Sequence, residues 1–160
     1  MTIKVGDRIP SATLKHMTKE GPANISTDEL FKGKRVVLFS VPGAFTPTCH
    51  AKHLPGFVQN IDKLKAKGVD TIACLAVNDV FVMDAWAKAS GAGDKVLMLA
   101  DGNADFTKAL GLELDASGFG MGTRGKRFAL VAKDGVVTHL NVESAGEFRV
   151  SAAEFVLGQL

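Results

Sequence analysis

The residues best suited to chemistry lie in one short segment around Cys49. Residues 41–49 read VPGAFTPTC, which places the cysteine after an apolar run and in the first turn of a predicted helix. Backbone N–H groups in a first helical turn lack partners and carry partial positive charge. They favour a thiolate over a thiol, and the thiolate is the nucleophilic form of sulfur. Thr46 lies about one helical turn earlier, so its hydroxyl can face the same point.

A structural role for Cys49 is the alternative, because an isolated cysteine is usually a small buried hydrophobic residue. Position alone leaves both interpretations open. The sequence Thr46-Pro47-Thr48 argues for chemistry, since it is poor core material and typical of a loop that enters a helix. Cys74, in contrast, lies in the middle of the apolar run 71–77 and is predicted to be buried and inert.

The composition excludes several classes of protein. The chain has 160 residues with two Cys, four His and no Tyr, which excludes a disulfide scaffold and a tyrosine nucleophile and is thin for zinc. We therefore expect no metal and no cofactor. A net charge of +2 with scattered basic residues does not favour a nucleic-acid partner. No apolar run approaches the roughly 20 residues of a membrane helix, and the N-terminus lacks a signal-like apolar stretch. We expect a cytoplasmic protein.

The apolar pattern predicts the elements that must position these residues. Predicted strands cover 35–41, 71–77, 96–100, 127–132 and 136–142. Predicted helices cover 49–67, with a kink or a break at Pro55, then 79–90, 105–110 and a final helix capped by Ser151. Residues 1–34 read as polar and turn-rich, with one short helical turn at 27–31. The first three strands are apolar on both sides. The pattern therefore predicts a single α/β domain over 1–160, with a mixed central sheet and helices on both faces.

The segment around Cys49 resembles that of a known protein family. The segment VPGAFTPTCHAKHLPGF resembles the active-site segment of peroxiredoxins and carries their Pro-x-x-x-Thr-x-x-Cys pattern as Pro42, Thr46 and Cys49. Later blocks resemble the atypical subgroup that includes peroxiredoxin-5 and the plant type II enzymes, over essentially the whole chain. The resemblance implies a thioredoxin-like fold, a homodimer, and reduction of hydrogen peroxide and organic hydroperoxides through a Cys49 thiolate and a sulfenic acid.

The resemblance also implies roles for the neighbouring residues. Pro42 would shield the thiolate from water, Thr46 would donate its hydroxyl hydrogen, and Arg127 would supply the cation that faces the sulfur. Arg124 is the competing candidate for that cation. The resolving cysteine of the mammalian type, expected near 146–150, is absent. An external thiol is therefore expected to recycle Cys49, with glutathione and glutaredoxin preferred over thioredoxin.

Cys74 corresponds to a position that has been considered a resolving cysteine in plant-like relatives. We favour a structural role, because a thiol in mid-strand cannot reach a sulfur at a helix start without local unfolding. A disulfide reductase, which needs Cys-x-x-Cys, is disfavoured because Thr46 occupies the place of the first cysteine. A chaperone or signalling role stays open as an additional activity.

Other features have simpler interpretations. The GMGTRG sequence at 120–125 matches a dinucleotide-binding pattern, but it precedes a strand instead of opening a helix. His53 is predicted to pack or hydrogen-bond near the site, and His50 to favour the thiolate when protonated. Asn78-Asp79 is predicted to cap a helix and Trp86 to pack in the core. Phe45, Phe81 and Phe119 are candidates for either a dimer interface or core packing.

Overall fold

The structure is a computed structural model that describes residues 2–160. In chain order its elements are β1 Thr13–Thr18, β2 Gly21–Ser26, α1 Thr27–Phe31, β3 Arg35–Ser40, a π-helical turn Cys49–His53, α2 Leu54–Gln59, α3 Ile61–Ala66, β4 Thr71–Ala76, α4 Val80–Ser90, β5 Leu97–Ala100, α5 Asp105–Leu110, β6 Glu113–Asp115, a 3-10 turn Ser117–Phe119, β7 Thr123–Gly125, β8 Phe128–Lys133, β9 Val136–Val142 and α6 Ala153–Gln159.

Seven strands form the central sheet in the order β2-β1-β5-β4-β3-β8-β9. The three inner strands β3, β4 and β5 run parallel, while β8 pairs antiparallel with β3 and β1 antiparallel with β5. The predicted mixed sheet is therefore confirmed. Among the described residues, no helix is both long and apolar enough to cross a bilayer.

The alternation of β3 shows why helices cover both faces of the sheet. Val37 and Phe39 pack into one apolar cluster with residues of α2, α3, α4 and α6, while Val36 and Leu38 pack into a second with residues of α1 and α5. Successive strand side chains point to opposite faces, so a continuous apolar run requires cover on both sides. The chain leaves β3 at the edge where β4 also ends, and the loop 41–48 lies there.

The N-terminal hairpin of β1 and β2 was not predicted. Its strands contain Lys15, His16 and Pro22, and only Leu14 is fully buried there. Because this edge hairpin buries so little, its sequence shows only a weak alternation of apolar and polar residues. Its glycine and proline are also typical of turns, so the pattern does not indicate strands.

The helix predicted over 49–67 is interrupted twice. At its start the Leu54 N–H donates to the carbonyl of Cys49, five residues earlier, which is the hydrogen bond of a π-helix. Pro55 follows, and it has no N–H that could form the next helical hydrogen bond. The irregularity predicted at Pro55 therefore takes the form of a π-helical turn. A second break falls at Asn60, whose amide donates to the Gly56 carbonyl at 2.7 Å.

The predicted cap of the last helix was wrong. The helix begins at Ala153 and its N-cap residue is Ala152, which makes no side-chain cap bond. Ser151 is fully buried and its hydroxyl instead donates to Glu143 Oε2 at 2.6 Å. This serine therefore holds the segment between β9 and α6, at residues 143–152, and does not satisfy a free helix end.

Candidate active site

Cys49 lies at the start of the helical segment that follows the loop 41–48. Residues 47 and 48 are already helical, so the sulfur sits in the first turn, as predicted. The side chain is completely buried among the apolar residues between the sheet and α2. A buried sulfur at this place is shielded from water, and any charge it carries depends on nearby donors.

Arg127 supplies such a donor. Its Nη2 donates to Cys49 Sγ at 3.0 Å, and its Nη1 lies 2.7 Å from His53 Nδ1. Arg127 directly precedes β8, and the antiparallel pairing of Ser40 with Phe128 brings the start of β8 beside the end of β3. A guanidinium N–H aimed at sulfur stabilises the thiolate over the neutral thiol.

Arg124, the competing candidate, has a different set of partners. Its guanidinium donates to the carbonyls of Met121 at 3.0 Å, Val77 at 3.2 Å and Pro42 at 3.4 Å. It therefore ties together three loops at the carboxyl ends of β3 and β4. The geometry selects Arg127 as the cation at the sulfur and gives Arg124 a role in holding the loops.

The loop 41–48 is tightly packed around Gly43. A Cβ atom at that position would lie 3.1 Å from Arg124 Nη1 and 3.2 Å from Thr46 Cγ2, so a larger residue would force one of them to move. The next turn places Phe45 in the left-handed region at a φ of 64°, a conformation that costs about 1 kcal/mol or more for a residue with a side chain. The Ala44 N–H donates to Asn78 Oδ1 at 2.9 Å, which anchors the loop to the end of β4.

Thr46 and Pro42 lie in this loop, and both are half-buried. The Thr46 hydroxyl donates to the Gly43 carbonyl at 2.7 Å, so its hydrogen is used within the loop and is not free for the donor role expected from the sequence. Its oxygen keeps lone pairs that can accept a hydrogen bond from an incoming O–H group. The Pro42 carbonyl accepts a hydrogen bond from Arg124.

His53 occupies the far side of the Arg127 guanidinium and is fully buried. Its Nε2 lies 3.0 Å from the Ser151 carbonyl, which can only accept, so the hydrogen-bond network assigns the ring hydrogen to Nε2. Nδ1 then carries the lone pair that accepts from Arg127. Burial above all, and next the Arg127 charge, lower the pKa of His53 to about 3, against smaller opposing effects of the Ser151 bond and Glu143. The prediction of a hydrogen-bonded histidine is confirmed.

His50 has other partners. Its Nδ1 accepts from Trp86 Nε1 at 3.0 Å, and its ring lies 5.6 Å from that of Phe45. His50 therefore hydrogen-bonds Trp86, whereas the sequence predicted that it would stabilise the Cys49 thiolate. Trp86 itself is fully buried, which confirms its predicted role in packing. Asp79 caps α4 by accepting from the Val82 N–H, as predicted for this position.

Cys74 has the surroundings of an inert thiol. It is fully buried on β4, opposite Phe39 of β3, and both cysteines of the chain are free. Burial raises the pKa of Cys74 well above its ordinary value, which keeps it protonated and unreactive at neutral pH.

Two observations concern acidic, histidine and cysteine side chains and the glycine-rich sequence near β7. Within residues 2–160, no group of three or more His, Cys, Asp or Glu side chains could hold a metal ion. The glycine-rich sequence at 120–125 forms a turn at Gly120 followed by β7, which pairs with β6. It opens no helix, so it lacks the context of a dinucleotide-binding turn.

Comparison with known proteins gives a consistent result. Residues 4–157 match the Redoxin family model. The chain is 52% identical to chloroplastic Peroxiredoxin-2E-2 of Oryza sativa subsp. japonica, over 99% of this chain and 73% of that protein. It is 48% identical to Peroxiredoxin-2B of Arabidopsis thaliana, over 99% of this chain and 98% of that protein. The structure of reduced Prx3 of Vibrio vulnificus in complex with hydrogen peroxide superposes with a TM-score of 0.95, at 56% identity and 99% coverage of both chains. The thioredoxin-like fold is confirmed.

The buried neutral His53 predicts an acid sensitivity of the fold. The folded pKa is about 3 and the unfolded one about 6.5, so as pH falls below 6.5 the unfolded chain binds a proton that the folded chain refuses. The free energy of unfolding therefore drops by up to about 1.4 kcal/mol per pH unit from this group between 6.5 and 3. His53→Gln, which does not titrate, should show a slope shallower by roughly 1 kcal/mol per unit in urea unfolding from pH 6.5 to 4. Parallel curves for the two proteins would contradict this assignment.

Proposed function

Because the chain belongs to the peroxiredoxin family, of the plant type II-like kind, and is a thiol peroxidase, we propose that Cys49 is the residue that attacks the peroxide. The observation that carries the proposal is the 3.0 Å hydrogen bond from Arg127 Nη2 to Cys49 Sγ. Of the two cysteines, Cys49 alone combines this contact with a place in a first helical turn. Cys74 has neither feature.

The proposed reaction is a displacement at a peroxide oxygen. The Cys49 thiolate donates an electron pair to the oxygen nearest to it, an S–O bond forms, and the O–O bond breaks. The leaving oxygen departs as hydroxide or alkoxide and takes up a proton from solvent to give water or an alcohol. Sulfur is oxidised to a sulfenic acid and the peroxide is reduced by two electrons.

Three residues would assist this step. Arg127 stabilises the thiolate and offers further N–H donors to the peroxide oxygens, where negative charge develops. The Thr46 oxygen, whose hydrogen is used on Gly43, accepts from the peroxide O–H and so orients the substrate. Pro42, half-buried in the loop that leads to Cys49, would shield the sulfur from water. This chemistry needs only an O–O–H group, so hydrogen peroxide and organic hydroperoxides are both proposed substrates, and a relative of known structure was solved with hydrogen peroxide.

An external thiol is the proposed reductant. The sulfenic acid condenses with one thiol to give a mixed disulfide and water, and a second thiol then releases the Cys49 thiolate and a new disulfide. Cys74 is an unsuitable partner because it is buried in mid-strand, and the chain has no third cysteine. We propose glutathione with glutaredoxin as the first source of thiol and thioredoxin as the second. Such a cycle suits a reducing compartment such as the cytoplasm.

A homodimer is also part of the proposal. Phe45, Phe81 and Phe119 are 48%, 65% and 85% exposed. Phe45 lies in the loop 41–48, Phe81 in the first turn of α4 and Phe119 in the 3-10 turn Ser117–Phe119. Exposed large apolar side chains are a feature of surfaces that bind a partner. A second copy of this nearly neutral chain would cover them.

Substitution of each cysteine tests the role of Cys49. Cys49→Ser should abolish peroxide reduction, while Cys74→Ser keeps the wild-type rate in stopped-flow mixing with hydrogen peroxide. One equivalent of peroxide should give a Cys49 sulfenic acid, trapped by dimedone and located by mass spectrometry. Peroxide consumption by Cys49→Ser at the parent rate would contradict the proposal, and a quantitative Cys49–Cys74 disulfide would contradict the need for an external thiol.

The reductant is tested in steady state with hydrogen peroxide. Turnover with glutathione and glutaredoxin should exceed turnover with thioredoxin and its reductase at equal concentrations. The Cys74→Ser variant, as a control, should show the same preference. Turnover with thioredoxin alone would reverse the proposed order.

The dimer is tested by sedimentation equilibrium. Phe119→Asp and Phe81→Asp should shift the chain from dimer to monomer, because a carboxylate cannot be buried in an apolar interface without a partner. Phe155→Asp is the matched control, since that phenylalanine is also exposed but lies on α6. A wild-type protein that stays monomeric would refute the interface.

A further inference from the structure

The segment 143–152, which joins β9 to α6, is held in one shape by Glu143. The Glu143 Oε2 atom accepts from the Arg149 N–H at 2.7 Å, the Ser151 N–H at 2.8 Å and the Ser151 hydroxyl at 2.6 Å. Burial raises the pKa of Glu143, but these hydrogen bonds outweigh it and hold that pKa below its ordinary value. A charged acceptor with three donors fixes the backbone from Arg149 to Ser151.

The same segment is attached to Arg127 at two points. The Glu143 N–H donates to the Arg127 carbonyl at 3.0 Å, which extends the pairing of β8 and β9 by one residue. The Phe148 ring lies under the guanidinium, with its centroid 5.8 Å from the Arg127 Cζ atom. The backbone and one face of the arginine are thus set by residues 143–148.

His53 links the segment to the charged end of the arginine. The Ser151 carbonyl accepts from Nε2 and so leaves Nδ1 as the acceptor for Arg127 Nη1. The imidazole is confined by Phe39 and Phe148, whose ring centroids lie 4.9 and 5.0 Å from its own. With Nη1 bonded to this buried ring, the planar guanidinium presents Nη2 to the sulfur.

We propose that His53 is a positioning residue, oriented by Glu143 through Ser151, which aims the Arg127 guanidinium at Cys49 Sγ. A neutral imidazole suits this task better than a carboxylate, because it fixes the orientation of the guanidinium without cancelling its charge. Among residues 2–160, the ion pair in the structure joins Lys88 and Asp84, so the charge of Arg127 is left for the sulfur. This inference rests on the proposed role of Cys49.

Three substitutions of His53 separate positioning from simple packing. His53→Gln keeps an N–H for the Ser151 carbonyl and an oxygen for Arg127 and should stay within a few-fold of the wild-type rate. His53→Asn is too short to reach both partners, and His53→Phe fills the space without hydrogen bonds. Both should slow the second-order reaction with hydrogen peroxide roughly 10- to 100-fold, as expected for an outer residue that orients a reacting group.

A double-mutant cycle with Arg127→Ala supplies the decisive comparison. If His53 acts through Arg127, then His53→Asn costs nothing further in the Arg127→Ala background. Glu143→Ala should lower the rate in the same way and also lose its effect in that background. Equal losses from His53→Asn in both backgrounds, or wild-type rates for both His53→Asn and His53→Phe, would overturn the proposal.

Two further measurements exclude other causes of a slower reaction with hydrogen peroxide. Urea unfolding of each variant shows whether it is folded under the assay conditions, and if His53→Phe does not fold, the contrast between His53→Gln and His53→Asn decides. The peroxidase assignment is tested separately by Cys49→Ser. Retained activity in Cys49→Ser would remove the proposed function itself, whereas an additive cycle would remove the positioning role alone.

Discussion

The contact between the Arg127 guanidinium and the Cys49 sulfur is the constraint on which the rest of the site depends. A sulfur that is fully buried in an apolar layer cannot hold a negative charge without donors, because burial disfavours every charged form. Arg127 supplies such a donor, and the first turn of a helix adds partial positive charge. The antiparallel pairing of β8 with β3 is what brings the arginine, more than seventy residues later in the chain, to the end of the strand that leads to the cysteine.

Arg124 and Arg127 lie at the same end of the sheet but have different roles, because their hydrogen-bond partners differ. Arg124 donates to three loop carbonyls and so maintains the shape of the loops, including the tight turn at Gly43. Arg127 has a neutral imidazole on one side and the sulfur on the other. The positive charge of Arg127 therefore faces the sulfur and is not neutralised by a carboxylate. A nucleophilic thiolate needs such a charge beside it.

The sequence was sufficient for the parts of the site that are local. Cys49 at a helix start, Thr46 one turn earlier and the inert Cys74 in mid-strand all follow from short-range patterns, and the resemblance to peroxiredoxins added Arg127. The role of His53 could not be found in this way, since its partner carbonyl at Ser151 is 98 residues away. Ser151 was likewise predicted to cap a helix, because no local sequence pattern reveals its hydrogen bond to the carboxylate of Glu143. The edge hairpin of β1 and β2 was missed because an edge strand buries little apolar surface.

The most direct test of this account compares the two arginines in one experiment. Arg127→Ala and Arg124→Ala each remove one positive charge from the same end of the sheet, and the second-order rate of reaction with hydrogen peroxide is measured by stopped flow for both. The account predicts a loss of at least about 100-fold for Arg127→Ala, in line with the removal of one oxyanion donor, and a loss within about tenfold for Arg124→Ala. A wild-type rate for Arg127→Ala, or a larger loss for Arg124→Ala, would contradict it.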